Sequence, residues 1–168
     1  MQVKLWVDVI ILLAFLTSST TVLAGKVNHF MCHAADRIDI EWSDELKLST
    51  FDSKGLIVGQ IKTSPFHAMN SRCNGVLRTQ PGLKPDVIVA NGYCNYHDND
   101  GDAVYYEWSR TQDRNHQPWT FILGTGKWKG ITGGGDWNAH KSGIVSKPQV
   151  EGTFQNCVHI TGTYELPK

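Results

Sequence analysis

The chain has 168 residues, with 16 Lys and Arg against 16 Asp and Glu, a formal net charge of zero and 40% apolar residues. That length suits one domain, and the apolar content is too high for a disordered chain. Charge balance excludes the basic excess of a general nucleic-acid binder or of a polybasic membrane-surface protein. No nucleic-acid partner is therefore expected.

The first element is a leader. Lys4 precedes an apolar stretch at 9–16, a polar run of Thr and Ser follows, and Val22-Leu23-Ala24 closes the segment. A charged start, a short apolar centre and a small terminal residue mark a secretory signal peptide over residues 1–24. The apolar centre is about half of what a bilayer-spanning helix needs, so a membrane anchor is the weaker reading. Residues 25–168 then form the exported domain, periplasmic or extracellular, with no membrane attachment expected after cleavage. Lys4 and Asp8 leave together, so the mature domain stays neutral.

Cys32, Cys73, Cys94 and Cys157 all lie beyond the cut. Four cysteines in an exported chain read as two disulfides, with three possible connectivities. We favour Cys73–Cys94, closing a short loop between neighbouring strands, and Cys32–Cys157, tying the first strand to the last, although spacing alone leaves the other pairings open. A metal site at His29, Cys32 and His33, or at Cys157 and His159, is the competing reading. It lacks any pair of CxxC knuckles, and neither a metal nor another cofactor is expected.

Along the mature chain the period is two, the period of strands. Ile38, Ile40 and Trp42 alternate with Arg37, Asp39 and Glu41, and Leu46 and Leu48 alternate with Glu45 and Lys47. The charged class is expected to form the solvated outer skin. Asp52-Ser53-Lys54-Gly55 supplies turn chemistry. The run 87–97 is rich in β-branched and aromatic residues, while Asn74-Gly75 and Asn91-Gly92 fit either strand or hairpin turn. The 98–102 run Asp-Asn-Asp-Gly-Asp makes a firmer hairpin, leading into Val104, Tyr106 and Trp108 on one face. Trp119, Phe121 and Leu123 alternate next, and a short strand is predicted over 127–132.

The C-terminus carries the strongest pattern. Phe154, Asn156, Val158, Ile160, Gly162 and Tyr164 form one parity class, and Gln155, Cys157, His159 and Thr161 the other. Extended at about 3.3 Å per residue, residues 150–166 would reach more than about 50 Å. Such a segment fits a small domain only by bending or by wrapping a closed sheet. These elements predict an all-β fold, a single antiparallel β-barrel of about eight strands with little helix.

The stretch Asp98-Asn-Asp-Gly-Asp-Ala-Val-Tyr-Tyr-Glu-Trp108, with 119–133 reading WTFILGTGKWKGITG, resembles a group of small exported proteins of the allene oxide cyclase type of eight-stranded barrel, related in shape to the lipocalins. The resemblance covers turn and glycine positions. It implies the barrel fold and carries over no catalytic residue.

Candidate sites follow from composition. Tyr96, Tyr106, Trp108, Trp119 and Trp128 offer large apolar bodies with polar handles, suited to a core or to a cavity holding a small apolar or aromatic ligand. Glu107 would be a general acid or base if it faced inward, but the cleaner apolar class at 104, 106 and 108 places it outside. His97 and His159 are alternative proton carriers. Asp98, Asp100 and Asp102 open like a calcium loop but lack Gly at the sixth position and an acid at the twelfth, so a polar hairpin tip is preferred. Gly124-x-Gly126-Lys127 lacks the Ser or Thr and the helix of a phosphate loop. No hydrolase or metalloprotease signature is present. Non-catalytic binding of a small apolar ligand leads. An isomerase or cyclase acting on a lipid-like substrate, and an interaction protein with a filled core, are the alternatives.

Overall fold

The structure, a computed structural model, describes residues 22–60, 64–80, 82, 87–110, 116–139, 145–146 and 151–167. Its strands are β1 (Val22–Ser43), β2 (Leu46–Gly59), β3 (Asn70–Thr79), β4 (Val87–His97), β5 (Ala103–Arg110), β6 (Pro118–Gly124), β7 (Thr132–Asn138), β8 (Val145–Ser146) and β9 (Thr153–Pro167). From β1 to β7 each strand pairs with the next, β7 pairs with β9, and β9 returns to β1. Every pairing is antiparallel. The all-β fold is thus a closed ring of eight strands, with β8 a two-residue stub beside Gln155 and Asn156. Closure gives each of the eight ring strands a neighbour on both sides.

The long C-terminal pattern is one strand, β9, paired along its length with β1 and over part of it with β7. Its predicted parity holds, with Val158, Ile160 and Tyr164 buried inside. Both disulfides bridge directly paired residues: Cys32–Cys157 joins β1 to β9, and Cys73–Cys94 joins β3 to β4. Most of the expected signal segment lies outside the described residues. Val22, Leu23 and Ala24 extend β1 opposite Pro167, Leu166 and Glu165, with exposed side chains.

Several local expectations change. Ile38 and Trp42 are each 67% exposed, and Ile40 faces out with them. The inner face of β1 is set by Val27, His29, Met31 and Ala35, all odd-numbered and buried. Because side chains alternate strictly, Arg37 and Asp39 continue that inner class. They sit at the rim, where Arg37 donates to Ser49 Oγ at 2.9 Å. The charged class is therefore not the outer skin here.

Asp52 to Gly55 is strand, not turn, because its backbone is laddered to β1 on one side and β3 on the other; Asp52 also accepts a two-pronged ion pair from Arg72 of β3 at 2.9 and 2.8 Å. Gly126–Trp128 forms a 3-10 turn, and the following strand begins only at Thr132. Leu123 is exposed, since a register shift between Tyr105 and Tyr106 breaks the alternation across β5 and β6.

Asn74-Gly75 and Asn91-Gly92 also lie within strands. Gly75 and Gly92 face each other across β3 and β4, and the Trp108 ring lies over both. A Cβ at either glycine would come within 2.7 or 2.8 Å of Trp108 Cζ2. The pair is a seat for an indole.

Candidate functional site

The ring interior divides into a filled half and an open half. In the filled half Phe66, from the β2–β3 connection, is fully buried. Its ring packs on Trp128 at 5.2 Å, Tyr164 at 5.4 Å, His29 at 5.8 Å and Phe121 at 6.0 Å. A polar chain runs beside it. His29 Nε2 lies 3.2 Å from Tyr96 Oη, Tyr96 donates to Tyr106 Oη at 3.0 Å, and Tyr106 Oη points at Met31 Sδ at 3.5 Å. With Tyr96 donating onward, His29 carries its proton on Nε2 and is neutral. Burial, helped by His159, lowers its pKa to about 3. Burial likewise raises both tyrosines, so this chain is uncharged at neutral pH.

The open half is a cavity of about 130 Å³ at the other end of the ring. Engineered apolar cavities of about 150 Å³ admit benzene, which sets the scale. Its aromatic wall is a relay of ring contacts: His33 to Phe154 at 5.9 Å, Phe154 to Phe51 at 5.6 Å, Phe51 to Trp108 at 5.9 Å and Trp108 to Trp137 at 5.7 Å. Tyr106, Trp119 and the Cys73–Cys94 disulfide form its floor toward the core.

A few polar groups enter this apolar surface. Trp119 Nε1 donates to Thr161 O and Trp137 Nε1 to Ser109 O, both at 3.1 Å. Trp108 Nε1 has no such acceptor among the described residues, and His33 Nδ1 and Asn156 Oδ1 are likewise buried without a hydrogen-bond partner. His33 and Asn156 are cross-strand neighbours on β1 and β9. Burial lowers the His33 pKa to about 4 although Asn156 favours the charged ring, so His33 is neutral near pH 7. Arg110, two residues beyond Trp108 on the same face, completes the polar set.

Of the residues expected at a ligand site, Tyr106, Trp108 and Trp119 line the cavity. Tyr96 and Trp128 stand in the filled half, the latter donating its indole N–H to Asp98 at 3.0 Å. The three candidate proton carriers are not brought together. Glu107 is exposed on the outer face opposite Tyr93. His97 stands on the outer side of β4, 6.3 Å from the Tyr105 ring. His159 stacks on Phe30 at 4.9 Å and donates to Asn28 Oδ1 at 2.8 Å, also outside.

Of the residues that do reach the cavity, His33 entered the sequence reading only as a candidate metal ligand, and Asn156 only as a member of one parity class of the C-terminal strand. Phe154 stood in the same class as Asn156, whereas Phe51, Arg110 and Trp137 were not singled out. Parity alone could have found Arg110, because it follows Tyr106 and Trp108 at the same spacing.

The other motifs resolve into structure. Lys127 Nζ lies 2.9 Å from Asp98 Oδ2 and 2.7 Å from Asp100 Oδ2, so an ammonium occupies the place a cation would take between those carboxylates. Burial pushes the Asp98 carboxyl up. Bonds from Lys127, Trp128 and the amides of Asp100 and Asp102 outweigh it and hold its pKa at about 2. Gly126 has φ +50°, and a Cβ there would meet the Asp102 carboxylate, so the turn requires glycine. Cys32 and Cys157 are spent in a disulfide, which removes the sulfur ligands from the metal reading. Neither a protein-family model nor a curated protein matches the chain.

Proposed function

We propose that this protein is a carrier or receptor for a small apolar or aromatic ligand, held non-catalytically in the open half of the ring. The observation that carries the reading is the division of the interior. One end is closed by Phe66 and its partners, and the other is left as an aromatic-lined cavity of about 130 Å³ with unpartnered polar atoms in its wall. A closed eight-stranded ring is just wide enough to fill itself or hold one small ligand. Few, placed polar groups in an apolar cavity are the usual form of a ligand site. The size favours a one-ring ligand over a long acyl chain.

Kinship with the allene oxide cyclase type of barrel belongs to the same proposal, supported by the ring of eight antiparallel strands. Export is proposed with it. The two disulfides suit an oxidising compartment, and no described helix is long and apolar enough to cross a membrane.

The test is titration of intrinsic tryptophan fluorescence with phenol, indole, benzoate and dodecanoate, repeated on Trp108→Phe. A saturable response to one-ring compounds, diminished in the variant, is expected. Flat titrations throughout, confirmed by calorimetry, would overturn ligand binding. Tighter binding of dodecanoate than of any ring would overturn the size argument.

A further inference from the structure

The outer wall over β3, β4 and β5 carries a second feature, on the other side of the sheet from the cavity. Cys73 and Cys94 are directly paired, buried inside the ring and bridged by a disulfide. Alternation therefore turns their chain neighbours Arg72, Asn74, Tyr93 and Asn95 outward. The cross-link fastens together the two strands that present these side chains. The surface is thus set before any partner arrives, which lowers the cost of binding one.

Tyr93 stands in the middle of this surface and is 57% exposed. Asn74 of β3 and Glu107 of β5 are its cross-strand partners, and Asn91 and Asn95 lie two residues away along β4. Two depressions, of about 330 and 450 Å³, both include Tyr93 in their lining. A ring shared by adjoining depressions suits consecutive units of a chain molecule. Tyr105 and the exposed Ile122 add apolar surface to the larger depression.

Arg72, which borders that depression, is already held by both carboxylate oxygens of Asp52 at 2.9 and 2.8 Å, so it is not open to an anion. The groups on offer are an aromatic face, three amides and the carboxylate of Glu107. Amides both donate and accept, and a carboxylate accepts from more than one hydroxyl. Asn95 Oδ1 is buried without a hydrogen-bond partner, so its amide holds capacity unspent. A pyranose matches this set. Its edges are hydroxyls, and its faces are C–H groups that meet the negative face of an aromatic ring.

We propose that this outer wall binds a neutral β-linked oligosaccharide, with one sugar stacked on Tyr93 and its hydroxyls hydrogen-bonded by Asn74, Asn91 and Glu107. In a gluco-configured pyranose the hydroxyls lie at the edges and the ring hydrogens cover both faces. A β-linked chain of such sugars stays flat and can follow the wall, whereas an α-linked chain curls away from it. The site is separate from the interior cavity and does not depend on what occupies that cavity.

Calorimetry on the full chain with cellotetraose, chitotetraose, maltotetraose and glucose tests the assignment. Saturable binding of at least one β-linked tetrasaccharide is expected, about tenfold or more tighter than maltotetraose or glucose. Tyr93→Ala should lose about tenfold of that affinity. Tyr93→Phe should keep it, because the ring stacks and the hydroxyl does not. Asn74→Ala and Glu107→Ala should each cost about two- to tenfold. All three positions are exposed, so circular dichroism and thermal melting should show native folds.

If neither β-linked tetrasaccharide binds, the proposal fails. Affinity that survives Tyr93→Ala undiminished would overturn the placement of the site. Maltotetraose binding as tightly as the β-linked chains would overturn the requirement for a flat chain. Each of these results leaves the small-ligand reading of the interior where it stands.

Discussion

Replacing Phe66 with Ala tests whether the filled half of the ring carries the fold's stability. Phe66 is 0% exposed and touches His29, Tyr96, Phe121, Trp128 and Tyr164. A fully buried aromatic removes about 150–250 Å² from water, which at about 25 cal/mol per Å² is roughly 4–6 kcal/mol as an upper estimate. Alanine keeps part of that, and the cavity left among rigid rings adds to the loss. The expected cost is about 3–5 kcal/mol. For a domain of this size that lowers Tm by roughly 6–20 °C. Phe154→Ala is the control. Its ring is half-buried at the wall of a cavity that already exists, so about 1–2 kcal/mol is expected from its smaller loss of buried area. Urea denaturation followed by tryptophan fluorescence, with scanning calorimetry alongside, measures both. If Phe66→Ala loses less than Phe154→Ala, the argument that the plugged end stabilises and the open end is spare is refuted.

Other outcomes follow from the same structure. Gly92→Ala puts a Cβ 2.0 Å from Asn74 O and 2.8 Å from Trp108, so it should cost about 1–3 kcal/mol and shift the tryptophan emission of the native state, read by denaturation and fluorescence. His29 and His33 have pKa values lowered from 6.5 to about 3 and about 4, so the unfolded chain binds more protons than the folded one below pH 6.5. Stability should therefore fall as pH drops from about 6.5 toward 4, by up to about 1.4 kcal/mol per pH unit for each histidine, and His29→Gln should roughly halve the slope of the urea midpoint against pH. Asp98 has its pKa lowered from 3.8 to about 2, so its contribution is present above 3.8 and lost as pH falls through 2; Asp98→Asn should lower stability at pH 7 and flatten that acid limb. Removing Cys32–Cys157, which spans 125 residues, should cost about 1.5 kcal/mol more than removing Cys73–Cys94, which spans 21, by loop entropy, as measured with paired Cys→Ala variants in urea.

Much of the fold was legible because alternation is a local property. Val104, Tyr106 and Trp108 share a face by parity, and so do Phe154, Asn156 and Val158, whatever surrounds them. The 98–102 hairpin was legible because Gly101 and the Asp98 carboxylate build the turn from within: Asp98 Oδ1 accepts from the amides of Asp100 and Asp102 at 2.9 and 3.0 Å. The direction each face points was less legible. Ile38, Ile40 and Trp42 look like a core stripe, yet the register fixed by Val27, His29 and Met31 turns them outward. Glycines misled for a related reason. Gly75 and Gly92 signal turns in isolation, and only the ladder that sets them opposite each other under Trp108 reveals the seat.

The period-two pattern determined the all-β fold, and the four cysteines made two cross-strand disulfides the favoured pairing, because composition and alternation act residue by residue. Ring closure decided the rest. It joined β9 to β1, brought Phe66 into one end as a plug, and left His33, Trp108, Arg110 and Asn156 around a cavity at the other. These four residues come from β1, β5 and β9, and no local pattern ties them together. Their meeting depends on strand order, register and the space that side chains fail to fill, and those are properties of the closed ring.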